Sequence, residues 1–113
     1  MEAQPTVLDV EHLREVTLDD ETLMREVLGA LIEDTAWHID LLSRAIVERN
    51  AKEAMRLAHC SKGACASLGA QSSAAALVEI ERTAAAGDFD NCGRSLNSLA
   101  AELKKLREHA SAI

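Results

Sequence analysis

The sequence has no tyrosine, one phenylalanine, one tryptophan and one proline among its 113 residues. Aromatic residues favour strands and proline interrupts helices, so this scarcity excludes a largely β fold and favours an all-α protein. No cluster of lysine and arginine is long enough to neutralise a run of phosphates, and the formal net charge is −7. Nucleic acid is therefore not expected as a partner.

Long apolar runs are also missing, and the stretch from Met1 to Pro5 lacks the basic start of a secretory signal. We expect a cytoplasmic protein without membrane contact. The three cysteines, Cys60, Cys65 and Cys92, match neither a disulfide framework nor a C-x-x-C pair, so they are predicted to be buried free thiols. The sequence leaves open whether the chain is free-standing or belongs to a larger protein.

Hydrophobic periodicity and capping residues predict five helices. They cover about residues 9–16, 19–49 and 51–68, a fourth that begins at Ser72 or Ser73 and ends at Gly87, and a fifth capped by Asp88 or Asp90. Short connections between long helices favour an antiparallel up-and-down four-helix bundle. We therefore predict a single domain over residues 1–113, in which residues 1–18 form a short covering helix and residues 19–113 form the bundle.

The apolar positions of these helices predict the core. The fifth helix follows a strict seven-residue repeat, which is typical of near-parallel helix packing: Phe89, Cys92, Leu96, Leu99, Leu103, Leu106 and Ala110. The third helix has a narrower stripe at Ala54, Leu57, Ser61, Ala64 and Leu68. In the first helix, Leu13 and Val16 are predicted to form the apolar side.

The candidate functional residue is His59. At about 100° per residue it lies roughly 200° from Ser61, the centre of the stripe, so its ring should point out of the core. Lys62 and Gly63 follow one turn later and should lie beside the ring. A glycine inside a helix costs about 1 kcal/mol relative to alanine, and here it removes a side chain that would cover the imidazole. An imidazole is largely neutral and nucleophilic near pH 7 without a dedicated base, and no catalytic triad is inferred.

This stretch resembles the phosphorylation motif of the histidine phosphotransfer (HPt) domain family, His-x-hydrophobic-Lys-Gly-x-Ser/Ala-x-x-hydrophobic-Gly. The matching positions are His59, Lys62, Gly63, Leu68 and Gly69. Two positions depart from the motif. Ser61 stands where the family usually has an apolar residue, and Cys65 where it usually has serine or alanine. We expect the Ser61 hydroxyl to bond back to the carbonyl of Leu57.

The resemblance implies a phosphorelay intermediate without autonomous kinase activity. His59 would be the phosphoacceptor between aspartates of receiver domains, Lys62 would stabilise the phosphoryl charge and Gly63 would keep the imidazole accessible. No cofactor is expected on this chain, because the Mg²⁺ belongs to the partner receiver domain. The expected partners are response-regulator receiver domains and a hybrid sensor kinase, and the expected state is a monomer. Around His59, the docking face would include Met55, Arg56 and Ala66.

Other readings remain open or are disfavoured. Some family members add a glutamine from the following helix, where this chain has Glu79 and Glu81, so no residue is assigned that role. A metal site is not predicted, since His12, His38 and His109 lie on different helices.

Trp37 packs at the bundle edge or anchors a partner. The alternative function is a helical adaptor that binds a receiver domain or another signalling protein without phosphorylation.

Overall fold

The computed structural model describes residues 5–113, which contain five α-helices and no strand. The helices are α1 (Val10–Val16), α2 (Glu21–Val47), α3 (Ala51–Ser67), α4 (Gln71–Ala85) and α5 (Phe89–Ser111). The predicted all-α fold is confirmed. The predicted segment 1–18 begins with residues 1–4, which lie outside the described residues, and the domain boundaries stay a prediction.

Helix N-termini are capped by short acidic or amide side chains. Four cap side chains accept a hydrogen bond from the backbone N–H three residues later, which supplies a partner that the helix itself lacks: Asp9, Asp20, Asn50 and Asp88. The predicted start of α2 near Asp19 is early by two residues, because Leu18 and Asp19 have φ values of 53° and 60°. These left-handed residues form the turn before Asp20 starts the helix.

The start of α4 differs from the prediction. Its N-cap is Ala70, which has no side-chain cap hydrogen bond, rather than Ser72 or Ser73. The Ser72 hydroxyl instead donates to the carbonyl of Pro5 at 3.3 Å, and Ser73 is buried. Ser72 thus bonds to the N-terminal segment, and Ser73 faces the core inside the first turn, so neither serine caps the helix.

The four long helices form a closed ring in which α2 packs against α3, α3 against α4, α4 against α5 and α5 against α2. The core between them is mostly leucine and small residues. The heptad of α5 is confirmed at its five central positions, since Cys92, Leu96, Leu99, Leu103 and Leu106 are buried, whereas Phe89 and Ala110 at its ends are partly buried. The prediction for Val16 is wrong, because its side chain is 48% exposed while Leu13 alone carries the buried face of α1.

The N-terminal segment is attached where α3 meets α4. The Asp9 amide donates to the carbonyl of Gly69 at 2.9 Å, and the His12 ring lies 3.0 Å from the carbonyl of Ser67. These contacts place α1 over the end of the bundle and leave the middle of α3 uncovered by it. None of the helices within residues 5–113 combines the length and apolar character needed to cross a bilayer.

Candidate functional site

His59 lies on the outer face of α3. Its side chain is 69% exposed, whereas Ala58 and Ser61 are buried at 0% and 2%. The predicted outward orientation is therefore confirmed, and its cause is the helical period that separates His59 from the buried stripe. The ring is held on a rigid helix and is open to a second protein.

Two charged side chains contact the Nδ1 atom of His59. Glu81, from the neighbouring helix α4, places Oε2 at 3.3 Å from Nδ1, and Lys62 places Nζ at 3.5 Å from the same atom. Lys62 and Glu81 also pair directly, with Nζ and Oε1 at 3.5 Å. The three side chains form a closed triangle on the α3–α4 surface.

The ring can take either of two tautomers within this triangle. A carboxylate only accepts hydrogen bonds and an ammonium only donates them. With the proton on Nε2, Nδ1 accepts from Lys62 at 3.5 Å. With the proton on Nδ1, the Glu81 carboxylate at 3.3 Å is a favourable neighbour for that proton, and the lone pair lies on Nε2, the nitrogen that can act as the nucleophile.

Gly63 is exposed one turn after His59, as predicted. A Cβ atom built at this position would meet nothing within 4 Å. The predicted reason is corrected in one respect, because a methyl group at position 63 would not touch the His59 ring. The space that the glycine leaves open is outside the chain, where a docking partner would approach.

The residues of the predicted docking face differ in exposure and in free charge. Ala66 is exposed and Met55 is partly buried against the core. The Arg56 guanidinium is bound to Glu53, with Nε and Oε2 at 3.1 Å, and this hydrogen bond holds the pKa of the Glu53 carboxyl below its usual value. The positive charge of Arg56 is therefore partly neutralised within the chain.

Beneath His59, the two departures from the motif lie together in the core. Burial raises the pKa of the Cys65 thiol, and hydrogen bonds with Thr35 and Ser61 offset part of this rise. Thr35 Oγ1 lies 3.8 Å from Cys65 Sγ. The expected bond from the Ser61 hydroxyl to the Leu57 carbonyl is not among the side-chain hydrogen bonds of residues 5–113. Ser61 is instead a polar neighbour of the Cys65 thiol.

Cys60 is exposed, which corrects the prediction that all three thiols are buried; Cys65 and Cys92 do lie in the core. No group of three or more potential metal ligands occurs within residues 5–113. Trp37 is 61% exposed on α2 and its ring centroid lies 5.6 Å from that of His38. The indole therefore extends from the bundle surface instead of packing into its edge.

Glu81 is the site residue that sequence reasoning did not assign. Neither Glu79 nor Glu81 is assigned a role from the sequence, and only the rotation of α4 against α3 distinguishes them. In the structure, Glu79 turns away and binds Arg82 at 2.7 Å. Ser73 and Thr83 are also buried on α4, so its inward face is wider than its apolar residues alone indicate.

Comparison with known proteins identifies the family of the chain. The family model for the Hpt domain matches residues 26–109, and the chain belongs to that family. The family acts in the phosphorelays of two-component signalling, in which its members carry phosphoryl groups between receiver domains and kinases. Among curated proteins, none matches the chain significantly in sequence.

Solved structures show the same fold. The chain is similar to histidine-containing phosphotransfer protein B (HptB) from Pseudomonas aeruginosa PAO1, with a TM-score of 0.87 and 20% identity over 96% of this chain and 95% of that one. A histidine-containing phosphotransfer protein from maize gives a TM-score of 0.81 and 20% identity, covering 90% and 78% of the two chains. One from Medicago truncatula gives 0.77 and 25%, covering 94% and 78%.

Proposed function

We propose that His59 is the phosphoacceptor of this chain, which takes a phosphoryl group from the aspartyl phosphate of one receiver domain and gives it to the aspartate of another. The observation that carries the proposal is the outward-facing His59 ring, 69% exposed and contacted at Nδ1 by Lys62 and Glu81. Gly63 keeps the approach to the ring open.

The chain contributes a positioned nucleophile, and the receiver contributes the rest. The Nε2 lone pair attacks phosphorus, and the electron pair of the broken P–O bond leaves with the aspartate carboxylate. Lys62 is near enough to turn from Glu81 toward the added phosphoryl group and stabilise its charge. Mg²⁺ and most of the transition-state stabilisation belong to the receiver, so this chain needs no cofactor and has no autonomous kinase activity.

The proposed partners are response-regulator receiver domains and a hybrid sensor kinase in the cytoplasm. They would dock on the face around His59 that includes Met55, Arg56 and Ala66. This face is mildly apolar with basic spots, which suits the acidic pocket of a receiver. A monomer is proposed because docking needs this face to be free.

The decisive experiment is phosphoryl transfer from a phosphorylated receiver domain to the chain in the presence of Mg²⁺. We expect an acid-labile, base-stable label on the wild type and none on His59→Gln. His109→Gln is the matched control, since it removes another exposed histidine and should leave the label unchanged. A wild type that binds receivers but takes no label from any of them would favour the adaptor function instead.

A further inference from the structure

The position of Glu81 has a consequence for the second half of the relay, and this consequence depends on the proposed role of His59. Phosphorylation of Nε2 leaves the proton on Nδ1, so the ring becomes cationic while it carries the phosphoryl group. Whether that proton stays decides how the phosphoryl group leaves. A ring that keeps the proton departs as neutral imidazole, whereas a ring that has lost it must depart as the strongly basic imidazolate.

We propose that Glu81 is a positioning residue that keeps the Nδ1 proton on the phosphorylated ring, so that His59 leaves as a neutral imidazole in the second transfer. Its Oε2 lies 3.3 Å from Nδ1, the ring nitrogen that does not take the phosphoryl group. A neighbouring anion favours a cationic group over its neutral form. The Glu81 side chain is only 28% exposed, which limits its screening by water.

The proton count is unchanged through both transfers. In the first, the N–P bond forms as the acyl phosphate P–O bond breaks, and the ring gains a positive charge beside the Glu81 carboxylate. In the second, a new P–O bond forms on the accepting aspartate, and the electron pair of the N–P bond returns to Nε2. The ring is then neutral with its original proton on Nδ1, and no external base or acid is needed.

The ammonium of Lys62 disfavours the protonated, cationic ring unless it moves away from Nδ1. Its ammonium lies 3.5 Å from Nδ1 and would repel a cationic ring, but its contact with Glu81 at 3.5 Å moderates this repulsion. When the phosphoryl group arrives, Lys62 gains a doubly charged partner and can release Glu81. The carboxylate is then free for the Nδ1 proton alone, so the two charges separate onto the two ends of the ring.

Among the described residues, Glu81 and Lys62 are the charged groups in ion-pair or hydrogen-bond contact with His59. On α3, Arg56 is bound to Glu53 and Cys60 is the neighbour in sequence. On α4, Arg82 is bound to Glu79. Within residues 5–113, α2 has no titratable side chain in ion-pair or hydrogen-bond contact with His59. The protonation of the phosphorylated ring is therefore governed by Glu81 and Lys62.

The test loads the full chain with phosphoramidate, a small donor that phosphorylates histidine without any receiver. Loss of phosphate from His59 is then followed by ³¹P NMR between about pH 6 and about pH 9. At the alkaline end we expect Glu81→Gln to lose phosphate about two- to fivefold more slowly than the wild type. At the acid end, where both rings are protonated, the rates should converge. A merely structural role of Glu81 would not produce this dependence on pH.

Glu79→Gln is the matched control, because it removes a carboxylate from the same helix without touching His59, and it should behave as the wild type. Equal pH profiles for the wild type and Glu81→Gln would overturn the role of Glu81 while leaving the relay intact. Loading by phosphoramidate with no exchange with any receiver would overturn the relay alone. Failure of the wild type to load at His59 would overturn both.

Discussion

Asp9 and Gly69 are held together backbone to backbone, with the Asp9 amide donating to the Gly69 carbonyl at 2.9 Å. A Cβ atom at position 69 would lie 2.9 Å from the Asp9 carbonyl oxygen, and Gly69 has a φ of +86°. Both facts require glycine. The last glycine of the sequence motif therefore serves the attachment of the N-terminal segment, not the chemistry at His59.

Gly69→Ala should lower the free energy of unfolding by about 2–3 kcal/mol, because it combines backbone strain with the clash against Asp9. Gly87→Ala is the matched control. Gly87 has a φ of +71° but open space around its Cβ position, so only the strain, about 1 kcal/mol, should appear. Urea denaturation of the three proteins measures the difference. Equal losses of unfolding free energy for the two variants would show that Asp9 moves away from the added methyl group without destabilising the protein.

Substitutions at Gly63 should separate stability from docking. Gly63→Ala should raise the free energy of unfolding by about 0.5–1 kcal/mol, since the helix gains a better former and the methyl group meets nothing. Gly29→Ala, in the exposed middle of α2, is the control and should gain similarly. Gly63→Leu should keep the fold but weaken receiver binding, as titration calorimetry would show. Unchanged affinity with leucine would mean that partners do not approach over position 63.

The three thiols should differ in reactivity. In the native protein, an aromatic disulfide reagent should react quickly with the exposed Cys60 and slowly with the buried Cys65 and Cys92. Cys60→Ser should abolish the fast phase, and denaturant should make the remaining thiols reactive. More than one fast thiol in the native wild type would contradict the burial of the core cysteines.

Burial also gives Cys65 an effect on alkaline stability. Because its folded-state pKa is raised, chiefly by burial, the folded state keeps a proton that the unfolded state releases above about pH 8.5. Stability is thus unaffected below that pH and falls as pH rises through the folded pKa. Cys65→Ala should show a shallower alkaline fall in Tm than the wild type, whatever its stability at neutral pH.

The Asp88 cap of α5 should contribute to folding stability with the opposite pH dependence. The pKa of Asp88 is lowered, mainly by the hydrogen bond from the Asn91 side chain and then by the one from its backbone. This contribution is present above the unfolded pKa of about 3.9 and is lost as pH falls through the folded pKa. Asp88→Ala should lower the Tm at neutral pH, and its difference from the wild type should shrink in acid. Asp88→Asn retains a capping oxygen and should stay close to the wild type at neutral pH.

Much of the fold follows from periodicity that the sequence displays directly. The heptad from Phe89 to Ala110 predicts α5 and its buried face, and the angle between His59 and Ser61 predicts that the ring points outward. Each of these inferences stays within one helix, where 100° per residue fixes the geometry. The structure corrected helix ends, at turns such as Leu18 and Asp19, and two predicted core positions, since Val16 and Ala64 are exposed.

Relations between helices could not be obtained in the same way. The choice between Glu79 and Glu81 depends on how α4 is rotated against α3, and that rotation is set by packing around polar residues such as Thr83, which periodicity treats as outward. The contact of Asp9 with Gly69 joins segments sixty residues apart. Such features depend on the summed packing of several elements, which no single stretch of sequence records.

The fluorescence of the exposed Trp37 indole can report the binding of a partner without a label. It is the only tryptophan and there is no tyrosine, so the near-ultraviolet emission of the chain comes from this one side chain. Trp37 lies on α2 close to Thr35, whose hydroxyl contacts Cys65 of α3. A partner that extends over α2 would dehydrate the indole and shift its emission to shorter wavelengths. A partner confined to the α3–α4 surface would leave the spectrum unchanged, so Trp37 emission reports whether a tryptophan-free partner covers α2.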